Sequence, residues 1–430
     1  MKFKTILLLI LFGYKVTAQE NGIKDLRNNY LPNTYINKNC LSIKDSLNRL
    51  NYTRLLLNSW KCLDGNSVLN NDWATLCQAF SFVGDNKSVV NTSVNHMQNS
   101  AQLEILNDTN FVNSVKENKI EFKSASTLIL EEFKKTSVIM FNEAHDRVQT
   151  RAYFLSLLKD LKSAGATFLA METLNENGNL KSLDGTTGYY SAEPVCGQII
   201  REAIKLGYKL IPYEDTLGYK HTNNERDSIQ ARNLYNRIKT KNGVEKTVVL
   251  AGYGHIAEGT FNPDFRCMGM YFKTISQIDP LTVNQCEFIE ESYMSTLSSK
   301  IIDKIYHPDS VFAITKDYIK AVIFNDPIFD IYIYHPQTQY INNRPNWLLT
   351  SKKVISEVII PDKIKPVLIQ AYMKCEIKND DDYYKKVPYD QTFYSSDNKA
   401  YLILEKKNKY KIVFRNSSNE IISTLEYQSN

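Results

Sequence analysis

Apolar positions over residues 124–255 fall into two patterns that take turns along the chain. Val138–Phe141 is apolar with no polar alternation, as expected of a strand covered on both faces, and it stops at Asn142, Glu143, Ala144, His145 and Asp146. Phe154, Leu157, Leu158 and Leu161 then recur at three and four, which predicts a helix, with Asp146 and Gln149 as its capping box and Gly165 as its stop. Thr167–Met171 reads as a second buried strand and ends at Glu172. Strand, helix and strand make a βαβ unit with parallel strands and a right-handed crossover, so Glu143 or His145 and Glu172 belong to one edge of the sheet.

The pattern continues past Glu172. Pro194 at a first helical position opens a helix with Val195, Ile199, Ile200, Ala203 and Ile204 inward and Gly207 after it; Tyr208–Tyr213 is the next strand, ending at Glu214 and Asp215. Asn223 or Asn224 starts a helix carrying Ile229, Leu234 and Ile238, and Thr247–Ala251 is its strand, followed by Gly252, Tyr253, Gly254 and His255. Met270–Ile278 and Phe329–Tyr334 are further strand candidates. Upstream, helical periodicity covers Ile43–Trp60 and Trp73–Phe82, and Ser124–Lys135 is an amphipathic helix with Leu128, Ile129 and Phe133 inward. Downstream, Ala400–Glu405, Lys409–Phe414 and Glu420–Glu426 alternate between turn-rich pieces. The fold class is therefore α/β: a mostly parallel sheet with flanking helices over 126–350, a helical region over 19–125 and a small antiparallel β module over 351–430.

Composition narrows the partners. At 430 residues the chain exceeds one ordinary core, and 43% hydrophobic with 23% charged residues is a globular balance. The charge of +5 comes from 52 basic and 47 acidic residues with no basic stripe interleaved with aromatics, so no nucleic-acid partner is expected. Lys2 and Lys4 precede the apolar run Ile6–Phe12, and Val16, Thr17 and Ala18 precede Gln19, which predicts a signal peptide over 1–18 and a secreted or periplasmic protein. No cysteine stands at that cut for lipid attachment, and no later stretch is apolar for about 18 residues, the length of a membrane span. The seven cysteines contain no CxxC pair and are odd in number, which argues against a thiolate metal site and leaves a thiol over. One bridge among Cys40, Cys62 and Cys77, or another between Cys267 and Cys286, stays open.

Four strands in succession thus end in acid or imidazole, and open parallel sheets bind ligands outside the carboxyl ends of their strands. Bland readings compete for several of these residues. Asp146 reads as a helix cap, Glu193 as an acid favouring a helix N-terminus, Glu214 and Asp215 as loop acids, and Arg226 with Asp227 as a first-turn charge pair. His96, His221, His307 and His335 have no partner in sequence. His145 and His255 differ because each follows a buried strand directly.

Glu143-Ala144-His145-Asp146, then Met171-Glu172, then Gly252-Tyr253-Gly254-His255, in this order on a βα framework, resemble the superfamily that joins erythromycin esterases, Tiki metalloproteases and ChaN-like haem-uptake proteins. The resemblance covers roughly residues 125 to 290. Thr187–Pro194 and Gly207–Glu214 are similar to uncharacterised secreted members. One departure is Asn142, where the Tiki pattern has glycine, so the first loop is expected to turn differently unless Asn142 takes a positive φ.

The resemblance implies hydrolysis of an ester or peptide bond in one of two forms. In the metal-assisted form His145, Glu172 and His255 would hold a divalent ion (Zn, Mn or Co) that supplies hydroxide at neutral pH. In the histidine-driven form His145 or His255 is the general base, with Glu143 or Glu172 holding its tautomer. Tyr190, Glu193, Glu214, Arg226 and Tyr253 are then expected to meet a small-molecule or peptide substrate. No GxSxG elbow appears, so a serine nucleophile is not expected. The ChaN-like branch implies the alternative, a haem carrier with His145 or His255 and Tyr253 on the iron. A third reading is a degenerate pocket on a surface interaction protein.

Overall fold

The computed structural model describes residues 50–62, 69–97, 107–117, 121–217, 220–261, 264–292, 297–314, 319, 327–362, 364–394 and 398–430. The expected signal peptide, Cys40 and residues 43–49 lie outside them. Among the described residues eight strands form one sheet: β1 (Lys123–Ser124), β2 (Val138–Glu143), β3 (Phe168–Met171), β4 (Lys209–Ile211), β5 (Thr247–Gly252), β6 (Leu281–Phe288), β7 (Phe312–Ile314) and β8 (Ile331–Tyr334). Their spatial order is β1-β7-β8-β6-β2-β5-β3-β4, parallel from β8 through β4, with β7 and β1 added antiparallel at one side. β5 is inserted between the two strands of the βαβ unit. Glu143 pairs with Gly252 and Met171 with Leu250, so three strand ends meet at the same height.

Helices α1 (Tyr52–Cys62), α2 (Leu69–Phe82), α3 (Asn86–Met97) and α4 (Thr109–Glu117) come before the sheet. The sheet is covered on both faces, because successive strand side chains point to opposite sides. Ile139, Phe141, Leu169, Met171, Val248 and Leu250 pack with α5 (Ala125–Phe133), α6 (Val148–Ser163) and α7 (Pro194–Lys205). Val138, Met140, Ala170, Val249 and Ala251 pack with α8 (Asn223–Ile238), α9 (Met268–Ser276) and α10 (Leu297–Tyr306). Each large apolar side chain buried this way contributes about 1.5–3 kcal/mol, which accounts for the unbroken apolar runs of β2 and β5. Gly165, at φ 99°, closes α6 in a conformation that disfavours other residues.

Several expectations change. The N-cap of α6 is Arg147, with no side-chain capping bond, and Asp146 instead pairs with the Arg147 guanidinium at 2.8 Å. Met270–Ile278 is not a strand but most of α9, since Met268 and Phe272 bury one helical face; short apolar runs do not separate the two patterns. Cys267 and Cys286 are both buried free thiols, so that bridge does not form, and Cys77 is free as well; a pairing of Cys40 with Cys62 falls outside the described residues. Asn142 stays in β2 rather than turning: its Nδ2 donates to the Tyr253 carbonyl at 2.7 Å and to Asn284 Oδ1 at 2.9 Å, while its Oδ1 accepts from Gln285 N at 2.6 Å. The positive φ falls one strand over, at Tyr253 (41°).

The C-terminal part is antiparallel, as its alternation predicts. It comprises β9 (Lys353–Ile359), β10 (Leu368–Met373), β11 (Asp390–Phe393), β12 (Lys399–Glu405), β13 (Lys409–Arg415) and β14 (Ile421–Gln428), with β9 paired to β12 and the others ordered β11-β10-β13-β14. This part grips α7, where Gln198 Nε2 donates to the Tyr389 carbonyl at 2.7 Å and Arg201 forks onto Glu376 at 2.7 and 2.8 Å. From the other direction Tyr52 Oη of α1 donates to the Ala192 carbonyl at 2.6 Å, so both added layers hold the segment that carries Tyr190 and Glu193.

Candidate active site

Glu143, His145, Glu172 and His255 meet at the carboxyl edge of the parallel strands. The first station lies on the α6 and α7 side. His145 Nδ1 is 2.9 Å from Glu143 Oε1, and Arg151 of α6 reaches the same carboxylate at 2.8 Å. Burial pushes the Glu143 carboxyl upward, but Arg151 and then His145 outweigh it and hold it below its ordinary value. A carboxylate can only accept, so Nδ1 carries the proton and Nε2 is left as the basic nitrogen. Tyr190 stacks on the imidazole with centroids 4.3 Å apart, and Tyr253 meets it edge-on at 4.7 Å. The ring's other edge rests on Gly252, where a Cβ would fall 2.3 Å from His145 Cε1 and 3.2 Å from Glu172 Oε2. Glycine is required there by close approach.

The second station lies on the α8 and α9 side. His255 Nδ1 is 2.9 Å from both oxygens of Asp227, which also accepts from Met268 N at 2.9 Å. Arg226 forks onto Glu214 through Nε at 3.0 Å and Nη2 at 2.5 Å, reaches Glu172 Oε1 at 2.7 Å, and places Nη1 3.3 Å from His255 Nε2. Glu172 Oε2 accepts the Gly252 amide at 2.6 Å. Burial works against the Glu172 anion, yet His255, His145, Arg226 and that amide together pull its carboxyl down to about 2. Burial also lowers His255, but Glu172 and then Asp227 outweigh it and leave the imidazole above its ordinary value.

Not every expected residue faces the crevice. Glu193 is buried at 2% exposure and caps α7, accepting from Val195 N and Cys196 N at 2.8 Å, with Arg151 at 3.4 Å. It sets the frame behind Tyr190. Tyr253 donates its hydroxyl to Asp146 at 3.2 Å. Asp215 turns away to His221 at 2.6 Å. His335 also follows a parallel strand, β8, but burial pushes it down to about 3 and keeps it neutral. Arg226 and Asp227 are not a surface pair, since each orients a different part of the site.

Two residues escaped the sequence reading, Arg151 as a partner of Glu143 and Asp227 as the orienter of His255. A signal existed. Arg151 falls on the inward stripe with Val148, Phe154 and Leu158, and Asp227 on the stripe with Ala231, Leu234 and Ile238. A charged residue on an apolar helical face implies a buried partner.

Among the described residues no group of three or more His, Cys, Asp or Glu side chains is placed to hold a metal ion. The donor chemistry gives the reason: the Arg226 guanidinium, itself a cation, fills the space among Glu172, Glu214 and His255. As arranged, His145, Glu172 and His255 do not fit a divalent ion. Of the side chains expected on haem iron, the Tyr253 hydroxyl donates to Asp146 and Arg226 stands at His255 Nε2. Among the described residues no helix is long and apolar enough to cross a membrane.

No family model matches the chain, and neither does any curated protein. One solved structure, described as a crystal structure of bacterial protein toxins, aligns with a TM-score of 0.30 and 12% identity over 55% of this chain and 56% of that one. The chain spans about half the length of that relative, and a likeness of this size bears on neither fold nor function.

Proposed function

We propose that the chain is a secreted or periplasmic hydrolase of ester or peptide bonds in which His145 is the general base. The observation that carries this reading is the His145 station itself: Nδ1 is fixed on Glu143, the ring is clamped by Tyr190, and Nε2 is turned to the crevice beside Gly252. Nε2 takes a proton from water, the resulting hydroxide adds to the acyl carbon, and the proton passes to the leaving group as the tetrahedral species collapses. Arg226 Nη1, and His255 Nε2 when that ring is protonated, would donate to the developing oxyanion, and oriented donors in a partly buried site stabilise that charge strongly. Glu172 keeps Arg226 in place and offsets its charge until substrate arrives.

This form is favoured over the metal-assisted one because the Arg226 guanidinium takes the cation position among Glu172, Glu214 and His255. The experiment is a screen of ester and peptide libraries with and without a chelator, run beside elemental analysis and a visible spectrum of the purified protein. Turnover that survives chelation and disappears in His145→Ala supports the proposal. A stoichiometric divalent ion whose removal abolishes turnover restores the metal-assisted form. Tight haem binding without hydrolysis replaces both with the carrier.

A further inference from the structure

Tyr190 stands over the general base with its ring fixed on several sides. It opens a single 3-10 turn, Tyr190–Ala192, and its amide donates at 2.6 Å to the hydroxyl of Thr173, the residue next after Glu172. Its carbonyl accepts from Glu193 N at 2.9 Å. The ring lies nearly parallel to the His145 imidazole, with 20° between the planes and 4.3 Å between centroids. Tyr189 meets it edge-on at 4.8 Å, Phe82 of α2 lies at 6.3 Å, and the Arg151 guanidinium is 5.1 Å from its centroid. A phenylalanine would make each of these ring contacts, so none of them uses the hydroxyl.

Other tyrosines of this domain spend theirs on the protein. Tyr52, Tyr208 and Tyr253 donate to the Ala192 carbonyl, the Leu158 carbonyl and Asp146 at 2.6, 2.8 and 3.2 Å. Tyr190 is half-buried, and among the described residues its hydroxyl takes no partner and is not sealed from solvent. The carboxylates beside it are already engaged, Glu143 by His145 and Arg151, and Glu172 by the Gly252 amide and Arg226. Burial, and after it the charges of Glu143 and Glu172, push the phenol upward, so it keeps its proton at neutral pH. We propose that Tyr190 is a catalytic residue whose hydroxyl donates a hydrogen bond to the substrate carbonyl oxygen as it becomes the oxyanion, from the α6 and α7 side and opposite Arg226. The assignment rests on the hydrolase reading and narrows its substrate. One guanidinium, already offset by Glu172 and Glu214, and one neutral phenol match the single charge that develops on an acyl oxygen. Because the ring is fixed before substrate arrives, the donor needs no reorganisation as that charge forms.

The test uses Tyr190→Phe, which keeps the ring and removes only the hydroxyl. Wild type and variant are compared on a series of substituted aryl esters or anilides of one acid, differing in leaving-group pKa. The variant's kcat should fall by about 100-fold, the scale of one oxyanion donor, with KM within about twofold and the same loss along the whole series. Its affinity for an alkylphosphonate monoester, whose charged oxygen stands in for the oxyanion, should weaken by about tenfold in calorimetry, a change that a purely structural ring would not produce. An unchanged kcat, an unchanged phosphonate affinity, or a loss that grows with leaving-group pKa would overturn the assignment and leave the hydrolase reading intact. A wild type that turns over no ester or peptide overturns the hydrolase reading itself, and the assignment with it.

Discussion

His145 and His255 both follow a buried parallel strand and both rest Nδ1 on a carboxylate, yet they sit on opposite faces of the sheet edge and meet different company. His145 is held by an anion, Glu143, and by aromatic rings, so its Nε2 keeps a lone pair for the crevice. His255 has Arg226 at Nε2: when neutral its lone pair accepts from the guanidinium, and when protonated it is a donor. Its lone pair is thus engaged by a cation. On the proposed mechanism, an identical motif position, histidine past a strand end, gives a proton acceptor on one face and a partner for developing negative charge on the other, and the difference lies in the neighbours: Glu143 and Tyr190 for His145, Arg226 and Asp227 for His255.

The largest expected effect tests that asymmetry directly. His145→Ala should lower kcat/KM by roughly 1,000-fold, the scale of losing a general base, with little change in Tm. His255→Gln should cost less, since Arg226 remains, and equal losses in the two variants would erase the distinction. Arg151→Met leaves the Glu143 charge buried without its cation; chemical denaturation should show a loss of about 3 kcal/mol, as expected when one partner of a buried pair is removed. If stability holds, Glu143 is better solvated than its 5% exposure indicates.

Gly252→Ala sharpens the comparison from the middle. A methyl group there meets the His145 ring, so His145 must swing away while the Arg226 and Asp227 contacts of His255 persist. Misplacing a reacting group by about an ångström should cost roughly 100-fold in kcat. A crystal structure with His145 unmoved would contradict it. The smallest effect is a pH dependence. His255 is raised above its ordinary 6.5 in the folded protein, so its pairing contributes stability that is complete below 6.5 and fades as pH rises through the folded value. Glu172 is lowered to about 2 from 4.5, so its contribution is present above 4.5 and is lost as pH falls toward about 2. Asp227→Asn should flatten the first slope and leave the second; loss of both would mean that Asp227 acts on the whole edge rather than on His255.

The strands that build the site were legible because burial on both faces forces continuous apolar runs, as in Val138–Phe141 and Thr247–Ala251, and their ends were legible because the runs stop at ionisable residues. β6 was not. Its inward Asn284 and Gln285 break the apolar pattern, and only the neighbouring strand shows that Asn142 satisfies them. The sequence by itself determined that two histidines and two glutamates would stand at the carboxyl edge of a parallel sheet, since strand direction and residue order are local properties of a βα repeat. Only the tertiary structure decided what each does. The insertion of β5 between β2 and β3 brings Gly252 under His145, and the packing of α6 on one face and α8 on the other delivers Arg151 to Glu143, Asp227 to His255 and Arg226 to Glu172. Arg226 and Asp227 come from a helix that starts at Asn223 and lie 54 residues from Glu172 and 28 from His255 respectively, and no spacing in sequence records which strand end a distant helix will face.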